Sequence, residues 1–533
     1  MTKDQTGDSS QTIWTSPYEP LTGSYVSLPQ LVRDAAARAP EHAALVDGES
    51  GTVVSRATLA ARLDRVAAGL AVRGFRPGDV LAIHAPNMAP WAGVALAAMA
   101  AGGVVTGINP LVTQREITAQ LRDAGASVLV TVPALMEQAR KAAAECDGVR
   151  DVVVIGETSE ATPIVELLSC DAPTPNLALD PGRAALLPYS SGTTGLPKGV
   201  MLTHANLTAA ARQLNAGLRL TARDTVLALA PFGHVMGFVV CLSAPLAAGA
   251  AVVTLPRFDF DALLAAIERH RVTVLPVPPP VAAALARHPA VADHDLSHVE
   301  LIVSGGAPLS VELQQALAAR FPNAVVGQGY GLSETTAVIP VPDREGRPPG
   351  SVGRLAPDTE LRVVDPETGR DLPSGEPGEL WARGPQIMAG YLHRPDATAQ
   401  LIDPDGWLRT GDMGRIDVDG DVFIVDRLKE LIKVNAYQVA PAELEGLLTT
   451  HPQIADAAVI PRADPDTGQA PVALVVANGS LDSAELLAWV AERVAPHKRI
   501  RAVHRVDKIP RTPSGKILRR LLADLTPCGD TPA

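Results

Sequence analysis

Ser190-Ser191-Gly192-Thr193-Thr194-Gly195-Leu196-Pro197-Lys198-Gly199 follows directly on the apolar run that ends at Pro188. Ten residues hold three glycines, four hydroxyls and one lysine. Glycines let backbone N–H groups turn toward an anion, hydroxyls add donors, and a lysine supplies a point charge, so the composition suits a polyphosphate. A Walker A loop closes a four-residue gap with Gly-Lys-Ser/Thr; this spacing does not, which argues against a P-loop NTPase. On composition alone a flexible Gly/Ser/Thr surface loop remains the alternative.

On both sides of the loop, helical periods alternate with short apolar runs. The pattern predicts helices over 31–38, 58–73, 91–101 and 116–124, with strands over 80–85, 104–108, 127–132 and 152–155. Beyond the loop it predicts helices over 204–218, 239–248, 260–270 and 313–320, and strands over 225–229, 251–255, 272–277 and 301–304. Such alternation means βαβ units and a mostly parallel sheet. From about Gly350 the texture changes to short strands and Gly-, Pro- and Asp-rich turns, and after Asp426-Arg427 a compact helix-and-strand unit follows. The expected fold is therefore α/β: a flexible arm over 1–25, a large domain over 26–427 made of βαβ-type subdomains plus a β-structured one, and a small mobile α+β domain over 428–533. The polar span 426–430 marks the boundary and a hinge.

The chain has 533 residues, with 46 basic against 58 acidic side chains and a formal charge of -12. It holds no basic block, which argues against a nucleic-acid or anionic-membrane surface. Cys146, Cys170, Cys241 and Cys528 lack metal-like or redox spacing, and the polar start of the chain shows no signal pattern, so a reducing cytoplasm is expected. The uncharged run 91–108 approaches membrane-spanning length, but its Ala/Gly content and Gly102-Gly103 read as a buried helix leading into a strand.

Three further stretches carry chemistry. Tyr330-Gly331-Leu332-Ser333-Glu334 offers an aromatic face for a purine and a carboxylate for Mg2+. Thr410-Gly411-Asp412 ends a strand-like run with an acid suited to ribose hydroxyls. Pro510-Arg511-Thr512-Pro513-Ser514-Gly515-Lys516 presents one lysine from a rigid loop. Singly, each also reads as an ordinary turn with a solvated charge.

In this order and at these separations, the four stretches resemble the adenylate-forming superfamily of acyl-CoA synthetases, adenylation domains and firefly luciferase. The likeness runs from about Leu28 to Leu522 and is greatest to the 4-coumarate–CoA ligases. It implies a two-step ligase using ATP, Mg2+ and CoA: a carboxylate attacks the α-phosphate to give acyl-AMP and pyrophosphate, then a thiol takes the acyl group. It further implies that Ser190, Ser191, Gly192, Thr193, Thr194, Gly195 and Lys198 hold the β- and γ-phosphates, with Thr194 and Glu334 at the metal. Ala307, Gly329 and Tyr330 match the adenine site, Asp412 and Arg427 the ribose pair, and Lys516 the lysine bridging carboxylate and α-phosphate.

The same resemblance implies a rotation of the small domain about a hinge near Lys429, which withdraws Lys516 and brings Lys433 to Gln438 to the site for thioester formation. His234 matches a histidine beside the acyl carboxylate, and Met236, Gly237, Gly305, Gly306 and Val338 match an acyl pocket. These residues are small or apolar, and no acid stands in 231–238 where amino-acid-activating relatives place one. The expected partner is an aryl, cinnamyl or medium aliphatic carboxylic acid, with no nucleic acid and no membrane span. The thiol is CoA, free CoA being favoured by the 17 residues that follow Lys516, or a separate carrier protein. A non-catalytic nucleotide-binding protein is the reading from another class.

Two positions depart from the family pattern. Relatives place an aromatic immediately before the histidine, whereas here Phe232 and Gly233 stand in swapped order. Where relatives read Lys-Gly, the chain has Asn435-Ala436. A Cβ at 436 would narrow the path of the thiol or forbid a positive φ, giving an unusual thiol acceptor or a slow second half-reaction, unless local backbone shifts absorb the methyl group. Ala436→Gly should then raise the rate of thioester formation while pyrophosphate exchange stays unchanged.

Overall fold

Val80–His84, Val104–Ile108, Ala126–Thr131 and Asp151–Val154 lie side by side as parallel strands. Successive side chains point to opposite faces: Leu81 and Ile83 enter one core, Val80 and Ala82 another. Both faces are buried, so the strands read as unbroken apolar runs rather than alternating ones. In this computed structural model the described residues are 12–175, 177–190, 197–434, 437–464, 467–512 and 515–522.

A second parallel sheet runs in the order Val325–Gln328, Leu301–Ser304, Val274–Val277, Thr225–Ala228, Ala251–Thr254 and Ala43–Asp47, with Val53–Ser55 antiparallel at its edge. Val226, Val252, Val274 and Leu301 face the core shared with the first sheet, while Leu227, Val253, Leu275 and Ile302 face away from it. Helices Leu28–Arg38, Arg56–Val72, Ala89–Ala100 and His204–Leu218 fill the space between the sheets. Ala89–Ala100 can lie there because most of its side chains are methyl groups. Its one large ring, Trp91, is 1% exposed and meets Phe232 and Phe238 at centroid distances of 5.3 and 6.1 Å. The outer faces are covered by Gln114–Ala124 and Met136–Ala144 on one side and by Phe260–Arg269, Pro279–Arg287 and Val311–Arg320 on the other. The result is five alternating layers.

An antiparallel sheet follows, ordered Trp14–Thr15, Glu360–Val364, Gly378–Arg383, Leu408–Ile416 and Val422–Arg427. It corrects one expectation: from Trp14 on, the N-terminal segment is not a loose arm. Trp14 pairs with Leu361, Ser16 Oγ donates to the Leu355 carbonyl at 2.9 Å, and the Leu21 amide donates to Asp358 at 3.1 Å. Past the polar span, Ile432–Val434, Tyr437–Val439, Ile454–Asp464, Gly468–Ala477 and Ala502–Arg505 form a separate sheet with its own core of Val439, Leu444, Val459, Val475 and Leu486.

Most expected elements lie within a few residues of their observed bounds. The helix expected over 239–248 begins earlier, because Met236–Ser243 is wound as a π-helix before passing into Ala244–Ala248. Pro279–Arg287 escapes the pattern because Pro278-Pro279-Pro280 reads as a loop, although proline belongs in a first helical turn. No helix among the described residues is long and apolar enough to cross a membrane.

Candidate active site

Of the glycine- and hydroxyl-rich loop, Ser191, Gly192, Thr193, Thr194, Gly195 and Leu196 lie outside the described residues. Its two ends are fixed by pairing: Ser190 faces Lys198 across an antiparallel bridge, and Lys198 begins the strand Lys198–Thr203. Ser190 Oγ donates to Glu334 Oε1 at 3.1 Å, and the Tyr391 hydroxyl donates to the same oxygen at 2.7 Å. Lys198 Nζ stands 5.0 Å from the centroid of the Tyr391 ring.

Glu334 is carried on the single turn Ser333–Thr335, reached by a tight path. A Cβ on Gly331 would come within 2.2 Å of the Ala337 carbonyl carbon, so only glycine fits there. Thr336 and Ala337 adopt left-handed φ values of 50° and 68°, a strained conformation of the sort that gathers at functional sites.

Asp412 and Arg427 sit opposite each other on neighbouring antiparallel strands, with Arg427 Nε 3.4 Å from Asp412 Oδ1. The Tyr330 hydroxyl donates to Asp412 Oδ2 at 2.6 Å. Burial pushes the Asp412 carboxyl above its ordinary range despite the opposing pull of Arg427 and Tyr330, and burial raises the Tyr330 phenol further still. Gly329, one residue earlier, donates its N–H to the Ser304 carbonyl at 2.8 Å. That bond ties the adenine-matching segment to the loop holding Gly305, Gly306 and Ala307.

Lys516 reaches this place from the small domain. Its loop closes on itself, with the Thr512 amide donating to the Lys516 carbonyl at 2.8 Å and the Lys516 amide to Thr512 Oγ1 at 3.1 Å. Gly515 has φ 86°, and a Cβ there would lie 3.0 Å from Pro280 Cδ, so the loop rests on the large domain. Desolvation lowers the Lys516 ammonium to about 8, with Arg427 and Lys429 adding repulsion and Glu430 and Asp412 opposing it.

His234 completes the group. Its Nδ1 accepts the Met236 amide at 3.4 Å, which leaves Nε2 as the protonated nitrogen. Desolvation lowers its pKa, Glu334 raises it and Lys516 lowers it, so the imidazole feels both charges. Asn87 clamps the segment leading to it: Nδ2 donates to the carbonyls of Ala228 (3.2 Å) and Ala230 (2.8 Å), and Oδ1 accepts the Phe232 amide at 2.8 Å. A Cβ on Gly107 would fall 2.2 Å from Gly233 Cα, so two backbones touch immediately before His234. The Phe232 ring lies in the core, 1% exposed.

The structure brings together Ser190, Lys198, Glu334, Asp412, Arg427, Tyr330, His234 and Lys516. Met236 joins them, its Cε 3.5 Å from where a Cβ on Gly305 would be, and Gly237 lets the chain pass Pro231, whose carbonyl a Cβ would meet at 2.0 Å. Gly306 is exposed and Val338 is fully buried in the main core. Lys433 and Gln438 face each other across an exposed hairpin of the small domain; Asn435 and Ala436 between them lie outside the described residues. Asn87 and Tyr391 belong to the site and escape a reading of the sequence. Each is a single residue in a short loop or strand, linked to its partners only by the fold.

Residues 32–392 match the family model for AMP-binding enzyme, and 443–516 match the AMP-binding enzyme C-terminal domain. The chain belongs to the AMP-binding enzyme family. It is 43% identical over 493 residues to 4-coumarate–CoA ligase 5 of Oryza sativa subsp. japonica, covering 90% of this chain and 91% of that one. Its fold is similar to that of ATP-bound MatB from Rhodopseudomonas palustris, with TM-score 0.85, 30% identity, and coverage of 94% of this chain and 99% of the other. An anthranilate CoA ligase, AuaEII, in complex with anthranoyl-AMP gives TM-score 0.86 at 26% identity, covering 95% and 98%. This AMP-binding enzyme is an ATP-dependent, AMP-forming acid–thiol ligase that works through an acyl adenylate.

Asn87 generates a prediction. Asn87→Ala withdraws three hydrogen bonds from buried backbone, which should cost about 1–3 kcal/mol of stability. It should also raise KM for the acid more than KM for ATP, because the segment it clamps leads to His234 and not to the phosphate loop. Denaturant melts and steady-state kinetics on both substrates read the two effects.

Proposed function

We propose that this AMP-binding enzyme is an acyl- or aryl-CoA ligase whose acid is an aryl or cinnamyl carboxylate and whose thiol is CoA. The observation that carries the reading is the convergence of Lys516, from the small domain, on Glu334, His234, Asp412 and Arg427 of the large one. The small and apolar residues beside His234, Met236 with Gly237 and Gly305, suit a flat apolar acid held mainly by burial. A relative 43% identical bears the name of a 4-coumarate–CoA ligase, which supports the cinnamyl member of that class.

The first half-reaction joins two anions, so charge has to be neutralised and the reactants aligned. Lys516 supplies a positioned cation between the carboxylate and the α-phosphate and accepts no proton. Asp412, whose two oxygens already face Tyr330 and Arg427, retains lone pairs for ribose hydroxyls. Lys198 supplies charge for the departing pyrophosphate. The Nε2–H of His234 donates to the acyl carboxylate and keeps it directed at phosphorus.

The donor set fits Mg2+. No group of three or more His, Cys, Asp or Glu residues among those described could hold a metal by itself. Glu334 has Oε1 engaged by Ser190 and Tyr391, while Oε2 has no hydrogen-bond partner among the described residues. Mg2+ is usually held by one or two carboxylates plus substrate phosphates and water. Glu334 and the hydroxyl of Thr194 would hold it, and the ion would neutralise charge on the phosphates.

The second half-reaction calls for Lys516 to withdraw, since CoA has to approach the acyl carbon where the small domain now covers it; rotation about the span near Lys429 supplies that motion. Lys516→Ala should therefore lower acyl-AMP formation by about a hundredfold or more while CoA still consumes supplied acyl-AMP at the wild-type rate. Equal loss in both half-reactions would exclude the alternation. AMP release across a panel of acids, with CoA or a carrier protein as the thiol, identifies both partners, and failure to release AMP with any acid would point to a binding protein.

The pH dependence follows from the same lysine. Its folded pKa is depressed to about 8, so it is cationic below that pH and neutral above it. Because kcat/KM reports the free enzyme, kcat/KM for ATP in the adenylation step should fall as pH rises through about 8. Lys516→Arg, which retains its charge, should move that fall to higher pH.

A further inference from the structure

Tyr391 touches both ends of the phosphate-handling apparatus and matches none of the motifs in the chain. Its hydroxyl donates to Glu334 Oε1 at 2.7 Å, and its ring lies 5.0 Å from Lys198 Nζ. The residue is 8% exposed and rigidly mounted. Gly390–Tyr391 pairs antiparallel with Lys198–Thr203, the Tyr391 amide donates to Thr398 Oγ1 at 2.9 Å, and the Leu392 amide donates to the Gly199 carbonyl at 2.8 Å. On the other side, the Met388 amide donates to the Glu334 carbonyl at 2.9 Å. One short segment thus fixes the strand carrying the lysine and the turn carrying the carboxylate.

Glu334 Oε1 receives two hydroxyl donors, while among the described residues Oε2 receives none. Two donors on one oxygen fix the rotation of the carboxylate and leave the other oxygen's lone pairs for a further partner. The ring face offers the lysine a weak electrostatic seat, from which the ammonium can move to phosphate without crossing solvent.

We propose that Tyr391 is a positioning residue that couples the two halves of the phosphate site, its hydroxyl aiming Glu334 Oε2 at the metal carried by ATP and its ring holding Lys198 ready for the terminal phosphates. The inference rests on the ligase reading for its metal and nucleotide, and it separates two functions within one side chain. Tyr391→Phe removes the hydroxyl and retains the ring, whereas Tyr391→Leu removes both.

The test is calorimetric binding of a non-hydrolysable ATP analogue to the full-length protein, with Mg2+ or with EDTA, alongside pyrophosphate exchange titrated with Mg2+. Tyr391→Phe should weaken metal-dependent binding by about tenfold and raise the half-saturating Mg2+ concentration similarly, as loss of one charge-assisted hydrogen bond implies, with binding in EDTA unchanged. Tyr391→Leu should show the same loss and weaken binding in EDTA by a further factor of about two to five. In both variants CoA should consume supplied acyl-AMP at the wild-type rate, since neither metal nor pyrophosphate takes part. An unaltered Mg2+ titration in Tyr391→Phe, an equal loss with and without metal, or a parallel fall in thioester formation would each overturn the proposal. A wild-type protein that exchanges no pyrophosphate but shows the metal-dependent loss by calorimetry would remove the ligase reading and leave the coupling in place.

Discussion

Parallel strands impose the constraint on which the site depends: all their carboxyl ends lie on one edge of the sheet. In the second sheet, strands ending at Ala228, Val277, Ser304 and Gln328 release their chains together. The segments that follow carry His234, the Pro278–Pro280 rest for the Lys516 loop, Gly305 to Ala307, and Tyr330 to Glu334. Ligands of open parallel sheets bind in this crevice. The first sheet shares a helix layer with the second, and it supplies Asn87 and Gly107 from the ends of its own strands to clamp the same edge.

Charge in the site is unevenly balanced. Lys516, Arg427 and Lys429 repel one another, and desolvation opposes both the ammonium of Lys516 and the carboxylate of Asp412. An anion placed among these cations would relieve their repulsion.

Sequence alone reveals a good part of this. Unbroken apolar runs such as Val80–His84 are legible because a strand buried on both faces has no polar positions, and the motif residues Lys198, Glu334, Asp412 and Lys516 are legible because their spacing along the chain carries a resemblance. Tyr391 and Asn87 are not, because their partners stand far off in sequence and meet only through the packing of the two sheets. The N-terminal segment misleads for a related reason: Trp14-Thr15 is too short to show a period, and its order comes from the edge of a sheet more than 300 residues away. The π-wound turn at Met236 hides because an apolar run looks alike in either winding.

The meeting of Gly107 with Gly233 limits how this protein can change. Two main chains in contact leave no side chain to enlarge or shrink, so the approach to His234 is closed to single substitutions there, and a mutation on either side would have to be answered by movement of a whole strand or loop. Change is easier where Met236 stands against Gly305, since a flexible thioether can be exchanged there without disturbing backbone. The chain thus holds the segment before His234 rigidly and keeps the segment after it adjustable.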